Sequence, residues 1–408
     1  MDVDKIIRDA EEALKEEFAK VDKLTYHNSK KVLEAFHEEG IGEVHFGSTT
    51  GYGYNDIGRE AIERVFARVL DAEKAVVRNQ FISGSHALTV ALFAMLRPGD
   101  TMLSITGLPY DTLHEVIGIK DNSSSLASFG IKYEQVELFD DDFDDEKIMG
   151  LLSEKFYKLV HIQRSRGYAT RKSLSIAKLK RIIAKIKNVS PETIVMVDNC
   201  YCELTEYETP TGIGADIAVG SLIKNLGGGV APNGAYIAGR EDLIELCGER
   251  LTLPGEGLEV GPTLGVNRDF LKGIYMAPSA VGASLKLSIL AGYILGERGY
   301  RVSPRYDEEH PDIVLMVTFK DRDKLIKFTE GIQAGSAIDA RAVPEPTDMP
   351  GYDDQVIMAS GSFTQGSSIE VSCDGPLREP FNAYLQGSLT YEYAKLALLE
   401  ALSHMEDL

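Results

Sequence analysis

Five short apolar runs, at 75–77, 102–105, 159–162, 194–197 and 217–219, are separated by amphipathic stretches near 85–96, 111–119, 145–156 and 175–187. Few folds satisfy that pattern. Runs this short suit buried strands, and the amphipathic stretches supply the helical crossovers that parallel strands require. The alternation predicts βαβ units on a mostly parallel sheet with helices on both faces. Ahead of the first run, helix-favouring residues fill 2–38, with Ile6, Ile7, Ala10, Leu14 and Phe18 at helical spacing. A glycine- and tyrosine-rich loop over 46–56 follows. Gly296-Glu297-Arg298-Gly299-Tyr300 and then Ser303-Pro304 punctuate the chain again. Beyond them strands are expected at 313–319 and 369–372, a helix at 321–332 and an amphipathic tail at 389–404. The expected architecture is α/β: an N-terminal helical arm (1–50), a large mostly parallel-sheet domain (51–300) and a smaller α+β domain (301–408).

Lys and Arg number 43 against 63 Asp and Glu, a net charge of −20. Such a surface repels phosphate backbones and anionic lipid, which argues against nucleic acid or a membrane as partner. No run approaches the roughly 18 apolar residues that read as a spanning helix. Met1-Asp2-Val3-Asp4-Lys5 is too charged for a signal peptide, so a cytoplasmic location is expected. Four cysteines, of which only Cys200 and Cys202 lie close in sequence, are too few for a disulfide scaffold. His37 and His45 lack a third ligand nearby, so no metal site is expected. In the acidic run Asp140-Asp141-Asp142-Phe143-Asp144-Asp145-Glu146, Asp145 stands where an EF-hand needs its turn glycine and Leu151 where it needs its last glutamate. Carboxylates gathered at a helix N-terminus account for it better.

Ligands of an open parallel sheet lie beyond the carboxyl ends of its strands, and three features stand there. Ser83-Gly84-Ser85-His86 opens a helix, whose free amides can seat a phosphate. Asp198 ends the apolar run 194–197, where a carboxylate is costly unless a cation or donor meets it. Lys224 lies in Ser221-Leu222-Ile223-Lys224-Asn225, between the run 217–219 and Gly227-Gly228-Gly229. Singly these read as a capped helix, an N-cap or buried ion pair, and a solvated loop lysine. Together they are the anchors that pyridoxal 5′-phosphate (PLP) needs. Lys224 forms a Schiff base with the aldehyde, Asp198 keeps the pyridine nitrogen protonated, and the helix terminus with Ser221 holds the phosphate. Ser221-x-x-Lys224 also fits an acylated-serine enzyme, but no Lys-Thr-Gly accompanies it.

On these residues the chain resembles the fold-type-I PLP enzymes of Cys/Met metabolism. Within them it resembles the methionine gamma-lyase-like family, whose members are often labelled cystathionine beta-lyase-like proteins involved in aluminium resistance. The resemblance runs over nearly the whole chain. It is carried by Thr50-Gly51-Tyr52-Gly53-Tyr54-Asn55-Asp56-Ile57-Gly58-Arg59, Ser83-Gly84-Ser85-His86-Ala87, Pro109-Tyr110-Asp111-Thr112-Leu113 and Gln163-Arg164-Ser165-Arg166-Gly167-Tyr168. Further matches are Val197-Asp198-Asn199-Cys200-Tyr201, Gly220-Ser221-Leu222-Ile223-Lys224-Asn225, Met349-Pro350-Gly351-Tyr352 and Asp374-Gly375-Pro376-Leu377-Arg378-Glu379-Pro380. The resemblance implies a fold-type-I transferase-like fold, PLP as cofactor, Lys224 as the Schiff-base lysine and Asp198 at the pyridine nitrogen. Gly84, Ser85, His86 and Ser221 would lie at the phosphate. Tyr110 falls where an aromatic ring stacks on the cofactor, a buried core tyrosine being the plainer alternative. Tyr52 falls where related lyases send a tyrosine into a neighbouring subunit's phosphate site. A homo-oligomer is therefore implied, a dimer that shares active sites, assembled as a tetramer.

Several positions depart from the pattern of the better-known lyases. Tyr54 stands where they have an arginine, and Thr112 where methionine gamma-lyases place a cysteine. Instead of the asparagine that touches the cofactor's phenolic oxygen, the 163–168 stretch offers Arg164 and Arg166, with Arg166 the cofactor candidate. The arginine that grips the substrate carboxylate is missing from 369–372. Arg378 is the nearest candidate beside Tyr54, with a surface ion pair as its alternative role. The implied activity is elimination of a thiol from a sulfur-containing L-amino acid, releasing a 2-oxo acid and ammonia. Lys224 would take the alpha proton, and Lys224, Tyr52 or Tyr110 would protonate the leaving group. Beta and gamma elimination share these residues. The alternatives are a gamma-replacement transferase on an activated homoserine, or a non-catalytic PLP-binding or metal-tolerance protein.

Overall fold

The computed structural model describes residues 3–349 and 354–406, so residues 350–352 of the motif beginning at Met349 lie outside the described residues. Two helices, α1 (Val3–Ala13) and α2 (Lys15–Glu38), lead into α3 (Ile57–Val69). Then come β1 (Lys74–Arg78), α4 (Gly84–Met95), β2 (Thr101–Ser104), α5 (His114–Ile117), β3 (Lys132–Gln135), α6 (Asp145–Glu154) and β4 (Leu159–Gln163). They are followed by α7 (Ile176–Val189), β5 (Ile194–Asp198), β6 (Ile217–Ser221), β7 (Ala235–Gly239), α8 (Glu241–Leu251) and the long α9 (Asn267–Glu297). The chain closes with β8 (Arg301–Ser303), β9 (Val314–Thr318), α10 (Arg322–Ala334), β10 (Val356–Ser360), β11 (Ser372–Pro376), β12 (Asn382–Gln386) and α11 (Tyr391–Glu406).

Strands β1 to β7 form one seven-stranded sheet in the order β1-β7-β6-β5-β4-β2-β3. Its pairings are parallel except the two made by β7. Successive side chains of a strand face opposite ways, and the apolar residues divide accordingly. Leu159 of β4, Ile194 and Met196 of β5, and Ile217 and Val219 of β6 pack with Leu88 and Leu92 of α4 and Ile244 of α8. Val160, Ile162, Val195 and Val197 face the other way, onto Ile148 of α6 and Leu179, Ile182 and Ile186 of α7. In α7 the apolar residues recur three and four apart, the stripe of a helix with one buried face.

The second sheet, β10-β11-β12-β9-β8, is antiparallel throughout and is covered by α10 and α9, with α11 packed against both helices. Two expectations need correction here. The strand expected at 369–372 begins at Ser372 and runs to Pro376, because the Glu370 carboxylate accepts from the amides of Phe363 (2.9 Å) and Thr364 (3.2 Å) and ties that stretch to the preceding turn. The helix expected at 111–119 is a 3-10 turn at Asp111–Leu113 and a single α turn that ends at Gly118, whose φ of 97° stops it. Strands β3, β7, β8, β10 and β12 and helices α3, α8 and α9 were not among the expected elements.

Helix α9 also qualifies the reading of apolar runs. Its 31 residues are long and apolar enough to cross a membrane, and 78% of the most apolar stretch is buried inside the fold. It packs along α2, α3 and α11 and against β8 and β9, so here the apolar length serves the core. Helix α2 is fastened across it: Asn28 Nδ2 donates to Leu204 O at 2.8 Å, and Lys286 pairs with Asp22 at 2.6 Å.

Among the three glycines after Lys224, Gly228 lets α9 approach that loop. Gly228 has φ of 55°, and a Cβ there would lie 2.3 Å from the Gly273 carbonyl oxygen of α9. Both the backbone conformation and the space demand glycine. Gly228→Ala is expected to lower unfolding stability by about 1–3 kcal/mol, read as an earlier urea midpoint with unchanged slope; a variant as stable as the parent would contradict this.

Candidate active site

The alternation that sorts the core also sorts the strand ends. Gln163 shares a face with Leu159, Asp198 with Ile194 and Met196, and Ser221 with Ile217 and Val219. That face looks toward α4. Three polar side chains on adjacent strands therefore emerge beside the N-terminus of α4. They border a cleft of about 150 Å3 whose walls include Gly84, Ser85, Tyr110, Gln163, Asp198, Tyr201, Ser221 and Lys224.

At the α4 end, Ser83 caps the helix by accepting from the His86 amide at 3.1 Å. The first amides of a helix have no intrahelical acceptor, so those of Gly84 and Ser85 remain for a ligand. A Cβ on Gly84 would come 3.1 Å from Ser221 Cβ and 3.5 Å from Cys200 Sγ, so glycine keeps this corner open. The Ser85 hydroxyl meets Thr112 Oγ1 at 2.8 Å, and Thr112 thereby joins the Tyr110 turn to the helix. Ser221 Oγ accepts from the Ile223 amide at 3.3 Å, leaving its proton available to a ligand.

Lys224 reaches back over the sheet, its Nζ 3.9 Å from the centre of the Tyr201 ring. Burial disfavours its charge, but Cys200, Tyr201, Asp198 and Glu203 around it outweigh that and raise its proton affinity above an ordinary lysine's. Cys200 and Tyr201 are themselves pushed up by burial, so near neutral pH the attraction comes from carboxyl groups. Tyr201 holds this place with φ of 70°, a conformation uncommon outside glycine that is found at functional sites. Asp198 is buried and accepts from the Cys200 amide at 3.1 Å. Gly167, with φ of 58°, lets the Tyr110 ring lie against the loop after β4, where a Cβ would stand 3.1 Å from the ring. Tyr110 meets Tyr168 edge-on at 6.2 Å, and Tyr168 meets Tyr384 at 5.3 Å.

Of the residues singled out in the sequence, Lys224, Asp198, Gly84, Ser85, Ser221 and Tyr110 line this one cleft. Five others do not. His86 turns its Nδ1 to the Ile82 amide at 3.2 Å and its ring edge to Phe81, while its own amide is taken by Ser83. Arg166 is buried, but it donates to Ser303 Oγ of β8 at 3.1 Å and faces Asp312, at the junction of the two sheets. Arg378 is half-exposed and paired with Asp354 at 3.0 Å, the surface ion pair that was its alternative. Tyr52 and Tyr54 stack on each other at 5.6 Å, both largely exposed. Their loop is pinned from beneath. Asp56 accepts from Thr49 and Thr263 hydroxyls at 2.5 and 2.6 Å, and Arg59 donates to the carbonyls of Gly53 (2.5 Å) and Gly261 (2.8 Å).

Sequence reasoning did not assign Gln163, Tyr201, Glu203 or Asp374. The strand-end rule would have found Gln163. No local signal marks Asp374, which β11 brings from the far sheet into the field of Lys224. Burial pushes Asp374 up to about 6, opposed by hydrogen bonds from Tyr168 and Gln386. The acidic run at 140–146 is engaged by cations of α7: Asp142 and Asp145 with Arg181, and Asp145 also with Lys185 at 2.6 Å.

The donor set suits PLP: an amine for its aldehyde, a carboxylate for its pyridine nitrogen, and helix amides with a hydroxyl for its phosphate. The fold is that of the fold-type-I PLP-dependent proteins. YhfS of Escherichia coli, described as PLP-dependent, shares it at TM-score 0.60 and 17% identity, over 94% of this chain and 97% of its own. The family profile described as Methionine gamma-lyase matches residues 3–406, and the chain belongs to that family. A carbon-sulfur lyase involved in aluminium resistance from Clostridium novyi NT is 49% identical, with TM-score 0.94 over 98% of this chain and 95% of its own. A Listeria monocytogenes protein, provisionally described as a cystathionine beta-lyase involved in aluminium resistance, is 44% identical, with TM-score 0.96 over 98% and 100%. The uncharacterised protein YnbB of Bacillus subtilis is 42% identical over 387 residues, 94% of this chain and 92% of that one.

Beneath the cleft, His161 of β4 is fully buried and neither ring nitrogen has a partner among the described residues. Burial pulls it down to about 4, the nearby Asp198 opposing. The unfolded chain, with an ordinary histidine near 6.5, therefore takes up a proton that the folded chain refuses. Stability from the neutral ring is complete above pH 6.5 and is lost as pH falls from there toward 4, by at most about 1.4 kcal/mol per pH unit. His161→Leu leaves no hydrogen bond behind, and its stability is expected to fall less steeply than the parent's over that window. Denaturant titrations that stay parallel would contradict it.

Proposed function

We propose that the chain is a PLP-dependent carbon–sulfur lyase that eliminates a thiol from a sulfur-containing L-amino acid, with water converting the remainder to a 2-oxo acid and ammonia. The observation that carries this reading is the convergence of Lys224, Asp198, Ser221 and the α4 amides on one cleft. The description of the Clostridium novyi relative as a carbon-sulfur lyase supports it. When bound, PLP supplies an aldehyde that captures amines and a ring that withdraws electrons from the alpha carbon. Gly84 and Ser85 amides and the Ser221 hydroxyl would hold its phosphate, Tyr110 would lie against its ring, and Asp198 would keep the ring nitrogen protonated. As a free amine in this cleft, Lys224 Nζ would accept the alpha proton and would be placed to return a proton to the departing sulfur. Tyr110 carries a second hydroxyl proton in this wall. Tyr110 is backed by Tyr168, and Tyr168 by Tyr384.

Tyr52 and Tyr54 stand on a rigid loop with their rings exposed, which supports a dimer in which they enter the second subunit's cleft. That would place Tyr52 at the partner's phosphate and Tyr54 near its substrate. Exposed Val44, Ile57 and Leu264 in the same region add an apolar surface suited to such contact.

Protein loaded with PLP is expected to be yellow, and borohydride to fix the cofactor on Lys224; a label on another lysine would refute the assignment. Asp198→Ala should retain cofactor but lose at least about a hundredfold in turnover, in line with other charge-stabilising groups. A panel of cystathionine, methionine, cysteine and homocysteine, scored for 2-oxo acid, ammonia and thiol, tests the activity itself. Loaded protein that releases none of the three from any of them would overturn the reading.

A further inference from the structure

A carboxyl group that this chemistry does not use is buried behind the strand ends. Glu203 is 1% exposed, its Oε1 accepts from the Tyr236 hydroxyl at 3.0 Å, and its Oε2 has no partner among the described residues. Gly220 of β6 makes the room, since a Cβ there would stand 2.3 Å from Oε1. Gly220 faces away from the cleft, because its neighbour Ser221 faces into it, so Glu203 sits on the opposite side of β6. Its main chain is tied to the lysine loop: Asn225 Nδ2, one residue after Lys224, donates to Glu203 O at 2.9 Å. Asn225 Oδ1 is likewise without a partner among the described residues. Two oxygen acceptors left unmatched on one contacting pair suit a carboxylic acid better than a carboxylate.

The charges around this group agree. Burial pushes Glu203 up to about 8, with its own backbone amide, the Tyr236 hydroxyl and Lys224 opposing and Asp198 adding to the rise. Facing it are Asp198 and Cys200 from β5 and the turn beyond, Tyr236 from β7, and Lys224 after β6. Lys224 in turn sees Cys200, Tyr201, Asp198 and Glu203, and Asp374 from the second sheet.

We propose that Glu203 is a positioning residue, a neutral acid behind Lys224 that on losing its proton holds the Nζ as an ammonium and so withholds it from the cofactor aldehyde and the substrate's alpha proton. This rests on Lys224 being the cofactor lysine. The sign is fixed by charge. As pH rises through about 8, the new carboxylate displaces deprotonation of Lys224 to still higher pH.

Glu203→Gln keeps the shape and an oxygen for the Tyr236 hydroxyl while removing the charge. In cofactor-free protein, acetic anhydride labelling of Lys224, located by peptide mapping across neutral to alkaline pH, should reach half its maximum roughly one pH unit lower in the variant. That is about tenfold faster labelling above pH ~8. The visible absorbance of the PLP-loaded variant should titrate with the same displacement. Glu203→Met, of similar volume and also without charge, should give the same displacement; it decides the matter if Glu203→Gln does not fold. Midpoints unmoved in the folded variants overturn the proposal, including the case where turnover falls but the pH profile stays, since that is a structural prop. Borohydride capture on a lysine other than Lys224 defeats the proposed function. Capture on Lys224 with an unmoved midpoint defeats this inference alone.

Discussion

The pleat of three adjacent parallel strands governs the site. Leu159, Ile194, Met196, Ile217 and Val219 must face α4 to bury their side chains, and a strand cannot turn one residue over without turning all of them. Gln163, Asp198 and Ser221 are thereby committed to the α4 side at the point where the strands end. The dipole and unpaired amides of α4 arrive at the same corner. Burial of an apolar face thus places a carboxylate, a hydroxyl and a phosphate seat together before any ligand is considered.

What surrounds Lys224 is less local. Its loop can come close to α9 only because Gly228 and Gly273 carry no side chains, and its Nζ lies over a tyrosine held in a left-handed backbone conformation. Carboxyl groups gather from three directions: Asp198 from β5, Glu203 from behind β6, and Asp374 from the second sheet. Those of them that are ionised keep the cofactor-free lysine charged. Chemistry at this amine therefore depends on how those acids are neutralised, by a ring nitrogen at Asp198 and by protons at the other two.

The departures from the better-known lyases acquire physical reasons in the structure. Thr112 braces Ser85. Arg164 is fully engaged with Asn199, Cys202, Leu174 and Glu206, and Arg166 belongs to the junction of the sheets. Glu370, in the stretch where a carboxylate-gripping arginine was sought, caps the amides of a turn. The small-sheet residue in the field of Lys224 is an acid, Asp374, and not an arginine.

Strands β1, β2, β4, β5 and β6, the crossover helices α4, α6 and α7, and the set Lys224, Asp198, Gly84, Ser85 and Ser221 were legible in the residues alone. Each rests on a rule that acts within a few positions: apolar periodicity, helix capping, and reactive groups at strand ends. Strand β7, buried helix α9, the true span of β11, and the placement of His86, Arg166 and Arg378 were not legible. Strand β7 is buried on both faces and α9 along most of its length, so neither shows a one-sided pattern, and an arginine's partner lies wherever the fold brings a carboxylate or hydroxyl. The sequence by itself determined which groups stand at the ends of the central strands. Only the tertiary structure decided which side chains from distant segments meet them, because burial and charge are settled by packing across the fold and not by neighbours along the chain.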